Sequence, residues 1–333
     1  MLPASRPRFP LARSALLATA ALLSSTACMA GTTDAAGGSG GGAGPQVRIA
    51  VGIDASFAPF FLADAEDLWA KHGVNVDLVQ FAKGGEGVDA LSAGQVQMAG
   101  NSDTTTIGVL AQSPSLRSLL VYESSGKYLK VVLRPGVKSP SQIRKMAVVP
   151  GLSELAATRY LESKGISAGS VDLVTADPAE IPALTKKGDI DGYVLWEPWP
   201  TKGKELGANV VATTGDYGVS YQQWLLATSS WLRANPDTAA KVAAALAEAT
   251  KKTESDPAAA AKATKDAAKV PAEQTVNAIE EIDFAVRDFT AADLVAYRRT
   301  AEFYASTGKV KSEPDVSKAV LDGWLPEHTE GSR

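Results

Sequence analysis

Trp196-Glu197-Pro198-Trp199 is the sharpest chemical feature of the sequence: two indoles flank an acid and a proline where an apolar run ends. Exposed indoles are costly, so these rings either pack in the core or wall a site. A flat aromatic wall with one carboxylate suits a planar or cationic group through stacking and cation–π attraction. Other short polar loops also follow apolar runs: Asp54-Ala55-Ser56-Phe57, Asn101-Ser102-Asp103-Thr104, Ser124-Ser125-Gly126, Gly151-Leu152-Ser153-Glu154 and Tyr221-Gln222-Gln223. In α/β sheets, loops at strand carboxyl ends border the ligand crevice, and helix amino termini bring free N–H groups to it. The plainer reading of Asp54 or Ser102 is a helix cap. The candidate ligand-binding residues are Asp54, Ser56, Phe57, Ser102, Asp103, Thr104, Ser124, Ser125, Ser153, Glu154, Trp196, Glu197, Tyr221 and Gln223.

Catalysis has less to stand on. A hydrolase needs a nucleophile and a positioned base, and the chain offers only 2 histidines. His72 falls beside Gly73 at an expected helix end, where a solvated capping role suffices, and His328 lies in a polar tail. No Gly-x-Ser-x-Gly is present outside the Gly-rich stretch at 37–41, and there is no Walker loop or His/Cys cluster with metal spacing, so neither cofactor nor metal is expected.

The single cysteine, Cys28, follows Ser25-Thr26-Ala27 at the end of a leader that carries Arg6, Arg8 and Arg13 and a short apolar run at 14–23. That pattern predicts a signal peptide over 1–27; its apolar run is too short to span a hydrocarbon core about 30 Å thick. Cys28 resembles the acylated cysteine of a bacterial lipoprotein, although Ser25 replaces the usual Leu; cleavage after Ala30 is the alternative. Residues 28–46, rich in Gly and poor in apolar side chains, read as a flexible tether. The chain's 33 basic residues, three of them in the leader, face 37 acidic ones, which argues against a nucleic-acid partner.

These loops must be held by a scaffold, and 333 residues suffice for two domains or one interrupted by another. From 47 to 226, short β-branched runs alternate with helical stretches, the pattern of α/β units with largely parallel strands. Strands are expected at 47–52, 74–81, 96–99, 119–122, 129–133, 146–149, 171–174 and 192–196. A helix over 59–72 would present Leu62, Ala65, Leu68 and Trp69 on one side and stop at Gly73; another would begin after Gly151, capped by Ser153, and stop at Gly165. ALSAGQVQMAG and ALTKKGDIDGYV, about ninety residues apart, both read as helix end, Gly stop and strand, from two similar lobes or by chance. Beyond Trp231 the chain turns helical and Ala-rich, suited to packing on an existing lobe.

The series GIDASFAPFFLADAEDLW, FAKGGEGVDALSAGQVQMAGNSD, SPSQIRKMAVVPGLSELAATRYLESKGIS, DIDGYVLWEPWP and WLRANPD resembles the nitrate/sulfonate/taurine family of ABC-transporter substrate-binding proteins over residues 47–240. The resemblance implies a two-lobed α/β periplasmic-binding-protein architecture. Each lobe would be a mostly parallel sheet flanked by helices, with lobe 1 at 47–130 plus 228–333 and lobe 2 at 131–227. Two hinge crossings, near 129–133 and 225–228, would join them, and closure would trap a solute. It further implies a monomer, membrane-tethered through Cys28, that works with an ABC permease and its ATPase. By position, Ser56 and Phe57, Ser102 to Thr104, Ser153 and Glu154, and Trp196 with Glu197 match the family's site loops. Ser124-Ser125-Gly126 matches the hinge segment, but Glu123 precedes it and Lys127 follows, and Gln223 stands where the family commonly has Asp.

Asp54, Asp103, Glu154 and Glu197 outnumber Lys127 in these loops, which disfavours a bare anion such as nitrate. The expected solute carries an amine or N-heteroaromatic ring, such as a thiamine pyrimidine precursor; a sulfonate or taurine is next. Rival readings are a same-fold enzyme of thiamine-pyrimidine or menaquinone type, or a surface sensor.

Overall fold

The computed structural model describes residues 44–329, and these fold around two sheets. The signal peptide and Cys28 lie outside the described residues, as does the tether up to residue 43; Gln46, read as tether, is the first residue of a strand. The strands are β1 (Gln46–Val51), β2 (Asn75–Gln80), β3 (Met98–Ser102), β4 (Leu116–Ser125), β5 (Leu129–Leu133) and β6 (Lys145–Val148). They continue with β7 (Asp172–Thr175), β8 (Gly192–Trp196), β9 (Asn209–Thr213), β10 (Tyr221–Thr228) and β11 (Asp283–Arg287). The first sheet has the order β11-β4-β10-β3-β1-β2 and the second β7-β6-β8-β5-β9.

Side chains alternate across a strand, and β1 uses both faces. Val47, Ile49 and Val51 join a core with Phe60, Leu62, Ala243 and Leu246, from helices Ala58–Ala65 and Pro236–Ser255. Ala50 joins a second layer with Val88, Leu91, Trp224 and Tyr297. The Ala-rich helix turns Ala239, Ala243, Ala245 and Ala249 inward, each almost fully buried. In the second sheet, Val132, Tyr193 and Leu195 pack with Ile181 and Ile190 on one face, while Val131, Met146 and Val194 join the larger core on the other.

Both sheets are mixed rather than mostly parallel. β1 pairs in parallel with β2 and β3, and β6 with β7 and β8, as helical connections require. The strands next to the crossings are antiparallel to their neighbours: β10 with β3 and β4, and β5 with β8 and β9. The chain leaves the first sheet at the end of β4, passes residues 126–128 and enters the second as β5; it returns after β9 through residues 214–220. Tyr221–Thr228, placed in lobe 2 from sequence, is therefore a central strand of the first sheet.

The helix expected over 59–72 is two, Ala58–Ala65 and Leu68–Lys71, separated where Asp67 takes a left-handed φ of 54°. His72, at the end of the second, pairs its Nε2 with Glu248 at 2.9 Å and so ties this corner to helix Pro236–Ser255. Helix Leu152–Ser163 is capped by Gly151 (φ 98°), not Ser153, whose hydroxyl is used elsewhere. The two similar stretches do form the same connection: a helix, a glycine at positive φ (Gly94, Gly188) and a strand entering its sheet. No helix among the described residues is long and apolar enough to cross a membrane.

Candidate functional site

A cavity of about 300 Å³ lies beside the crossings and is lined from both sheets. From the first sheet, the loop after β1 supplies Asp54, Ser56 and Phe57, the loop after β2 supplies Phe81 and Lys83, and Asn101 and Ser102 end β3. Tyr128 stands on the outgoing crossing, and Tyr221 and Gln223 open β10 on the return. From the second sheet come Leu129, Val149, Pro150, Leu152, Ser153 and Trp196.

Local sequence explains these positions. Asp54 Oδ1 accepts from the Ser56 amide at 2.9 Å, capping a tight turn over Ala55–Phe57. Gly52 lets Phe57 fold back, since a Cβ there would lie 2.3 Å from that ring. The Ser102 hydroxyl accepts from the Thr105 amide at 3.2 Å and caps helix Asp103–Val109. The capping readings of Asp54 and Ser102 therefore hold while both residues also line the cavity.

The polar groups divide by sheet. The Tyr128 hydroxyl lies 3.2 Å from Asp54 Oδ1 and 3.1 Å from the Glu197 carbonyl, and with one proton it donates to one at a time. Gln223 Nε2 donates to Ser56 Oγ at 3.3 Å, leaving Oε1 buried without a partner, as is the Tyr221 hydroxyl. Burial pushes the Asp54 carboxyl upward, partly offset by its bonds from Ser56 and Tyr128. On the second sheet's side, Ser153 is saturated: it donates to the Val194 carbonyl at 2.7 Å and accepts from the Val149 amide at 3.1 Å. Trp196 is half-buried and offers its surface to the cavity.

Six expected site residues do not line this cavity. Asp103 is buried, accepts from the Thr104 amide and hydroxyl, and is pushed up to about 7 mainly by desolvation. Thr104 is thereby spent on Asp103. Ser124 is a half-buried strand residue, and Ser125 Oγ donates to the Glu281 carbonyl while accepting from the Lys127 and Tyr128 amides. Glu154 pairs with Lys309 at 2.7 Å. Glu197 binds Lys130 at 3.0 Å and the Thr201 amide at 3.1 Å, facing a separate cavity of about 560 Å³. Of the acids that set the sequence-based charge balance, only Asp54 lines the cavity, and Lys127 is exposed away from it.

Sequence reasoning missed Tyr128, the loop around Lys83, and the Val149-Pro150 pair. The Gly-rich FAKGGEG run was the available signal for the loop: a Cβ on Gly84 would stand 2.2 Å from Asn101 Oδ1, so glycine lets the loop cross there without displacing that side chain. Glu123 was also passed over. It is fully buried in β4, with neither carboxyl oxygen hydrogen-bonded.

The arrangement is suited to enclosing a solute. Among the described residues no group of three or more His, Cys, Asp or Glu is placed to hold a metal ion. The site hydroxyls of Ser56, Ser102 and Ser153 bond to amide, hydroxyl or carbonyl partners, while His72 is engaged with Glu248 and His328 with Trp324.

Comparison with known proteins agrees with this geometry. The taurine-binding periplasmic protein of Escherichia coli (strain K12) is 32% identical over 160 residues, 46% of this chain and 49% of that protein, so the chain spans about half the length of that relative. The periplasmic aliphatic sulphonate binding protein SsuA from Escherichia coli superposes with a TM-score of 0.74 at 18% identity, covering 85% of this chain and 99% of that one. The periplasmic nitrate-binding protein NrtA from Synechocystis PCC 6803 gives 0.73 at 16% identity, covering 86% and 89%. These superpositions establish the periplasmic-binding-protein fold. The sequence model of the NMT1-like family matches residues 41–268, more than half of the chain, which therefore belongs to that family.

Proposed function

We propose that this protein is the extracytoplasmic solute-binding component of an ABC importer, acting by non-catalytic capture of a small organic solute. The observation that carries this reading is the half-open cavity of about 300 Å³ lined by loops of both sheets at the point where the chain crosses twice between them. A ligand that touches both sheets stabilises the closed arrangement over the open one, and the closed form is the one a permease would recognise. The taurine-, sulphonate- and nitrate-binding relatives support the importer role, with a permease and ATPase as partners. The leader and Cys28 support export and a lipid anchor on the outer face of the cell membrane.

The test is titration of the purified chain with taurine, alkanesulfonates, nitrate, and small amines or N-heteroaromatics, following tryptophan fluorescence and small-angle scattering. Saturable binding with a smaller radius of gyration is expected for one class; no contraction with any solute would sink the reading. Radiolabelled palmitate incorporation that vanishes in Cys28→Ser tests the anchor.

A further inference from the structure

We propose that the deep end of this cleft, lined by Asp54, Tyr221 and Gln223 and backed by the buried Glu123, binds a positively charged nitrogen of the solute, an ammonium or amidinium group. The proposal rests on the solute-capture reading and specifies its ligand class.

Glu123 is the decisive residue. In β4 it pairs directly with Gln223 of β10, so both side chains leave the sheet on one face, and Tyr221, two residues before Gln223, shares that face. Between Gln223 and Trp224 the register slips, leaving Tyr122 as an extra residue opposite β10. Such bulges re-aim side chains beside binding sites. Glu123 is fully buried and neither oxygen is hydrogen-bonded; the Tyr221 hydroxyl approaches it without completing a bond. Gln223, its register partner, and Tyr221, whose hydroxyl approaches it, both line the cavity, whereas Glu123 itself does not.

The deep end has acceptors in surplus. Gln223 spends its amide nitrogen on Ser56, which leaves its carbonyl oxygen free, and Asp54 carries a carboxylate at the cavity surface. Donors here are the tyrosine hydroxyls, one of them shared between Asp54 and Glu197, and the Ser56 hydroxyl, which accepts from Gln223 and keeps its own proton. A guest that satisfies such a set brings several N–H donors, and positive charge offsets the buried acids. An anion finds no arginine among the lining residues, and Lys83, the one lining cation, is engaged with Asp177 at 3.0 Å. Phe57, Phe81 and Trp196 leave room for a flat apolar body behind the charged nitrogen.

Burial, reinforced by Asp54, drives the Glu123 carboxyl well upward, while Tyr122, Tyr128 and Tyr221 are pushed up and stay neutral. The empty cleft therefore favours the protonated form of Glu123 and an arriving cation favours the carboxylate, so cation binding is coupled to proton release.

The test uses the full chain with benzamidinium and 4-aminopyridinium as cations, neutral benzamide as control, and benzenesulfonate, methanesulfonate and nitrate as anions. Calorimetry in two buffers of different ionisation enthalpy should show cation binding with release of about one proton per site. Glu123→Gln should weaken the cations on the order of 100-fold and leave benzamide unchanged. Because it removes an uncompensated buried acid, the same variant should melt no lower than the parent. Asp54→Asn provides a second variant with the same selectivity. Cleft closure by anions and not by cations, or Glu123→Gln without effect on the cations, overturns this inference and leaves solute capture standing. Closure by neither class overturns both.

Discussion

The two sides of the cleft are built from different chemistry. The first sheet contributes polar side chains with hydrogen-bonding capacity to spare: Gln223 Oε1, the Tyr221 hydroxyl and, behind them, both oxygens of Glu123. The second contributes apolar surface from Val149, Pro150, Leu152 and Trp196, and its polar candidates are already committed, Ser153 to backbone, Glu154 to Lys309 and Glu197 to Lys130. A wall of unspent acceptors reads chemical identity, whereas a wall of saturated groups and rings excludes water and follows shape. The first lobe is thus expected to set selectivity and the second to set the stability of closure.

Two tryptophans break this comparison most sharply if it is wrong. Trp224 in β10 is fully buried, donates its Nε1 proton to the Tyr297 hydroxyl at 3.1 Å and meets Phe289 and Tyr297 edge-on. Trp224→Ala should cost about 3–5 kcal/mol, seen as a melting temperature lower by roughly 10 °C, with unchanged affinity per folded molecule. Trp196→Ala should do the reverse: little change in melting, loss of the fluorescence response, and faster solute release. Equal melting losses would mean that Trp196 is core rather than wall. Asp54→Asn comes next. It keeps an oxygen for the Ser56 and Tyr128 bonds but loses the charge, so an expected loss of about tenfold, or ~1.4 kcal/mol, should be confined to cations and visible by calorimetry.

How far the sequence reveals this molecule depends on whether a residue's partner is local. Strands at 129–133 and 192–196 were legible to the residue, because β-branched runs bounded by Gly, Pro or polar residues need no distant information. Asp54, Ser56, Phe57, Ser102, Ser153, Trp196, Tyr221 and Gln223 were picked from their loops and do meet at one cavity. Glu154 and Glu197 look identical in sequence to the cavity acids, yet each is held by a lysine, Lys309 and Lys130, that only the fold brings near, while Asp103 is buried and engaged by its neighbour Thr104. Glu123 was hidden for the opposite reason. It stands just past the strand expected at 119–122, and only the longer observed strand, its register with Gln223 and the bulge beside it show where it points.

Stability should itself distinguish the acids of the first lobe by pH. Asp103, held up to about 7 by desolvation, binds a proton in the folded state that the unfolded chain releases near 4. Its contribution is therefore fully present below about pH 4 and is lost as pH rises toward 7. Asp293 is held down to about 2: its bonds from Arg287, Gln222 and Thr290 outweigh the opposing effect of desolvation. Its contribution is present above about pH 4 and lost as pH falls toward 2. Melting temperatures at pH 5 should exceed those at pH 8 by roughly a few degrees, and Asp103→Asn should reduce that difference, with Glu123 and Asp54, whose carboxyls burial also raises, carrying the rest, while leaving the acid limb intact. A pH 5 to 8 profile unchanged in Asp103→Asn would show that another group carries it.

The smallest expected effect tests how the two sides meet. Lys83, on the loop after β2, reaches across to Asp177, in the segment after β7, at 3.0 Å, and both side chains are substantially exposed, at 38% and 46%. An exposed pair of this kind contributes little and is screened by salt, so it should act as a weak latch on closure. Lys83→Ala is then expected to speed release of every solute a few-fold in dilute buffer and to have no effect in ~1 M salt, where the Debye length is about 3 Å. Lys83 also lines the cavity, so a different outcome is informative. If it served as a ligand for an anionic solute, the variant would lose anions selectively and keep that loss in high salt, because an ion held inside the cleft is poorly screened. Stopped-flow release of one cation and one anion at two salt concentrations separates a latch between unlike walls from a charge that the second reading would place inside them.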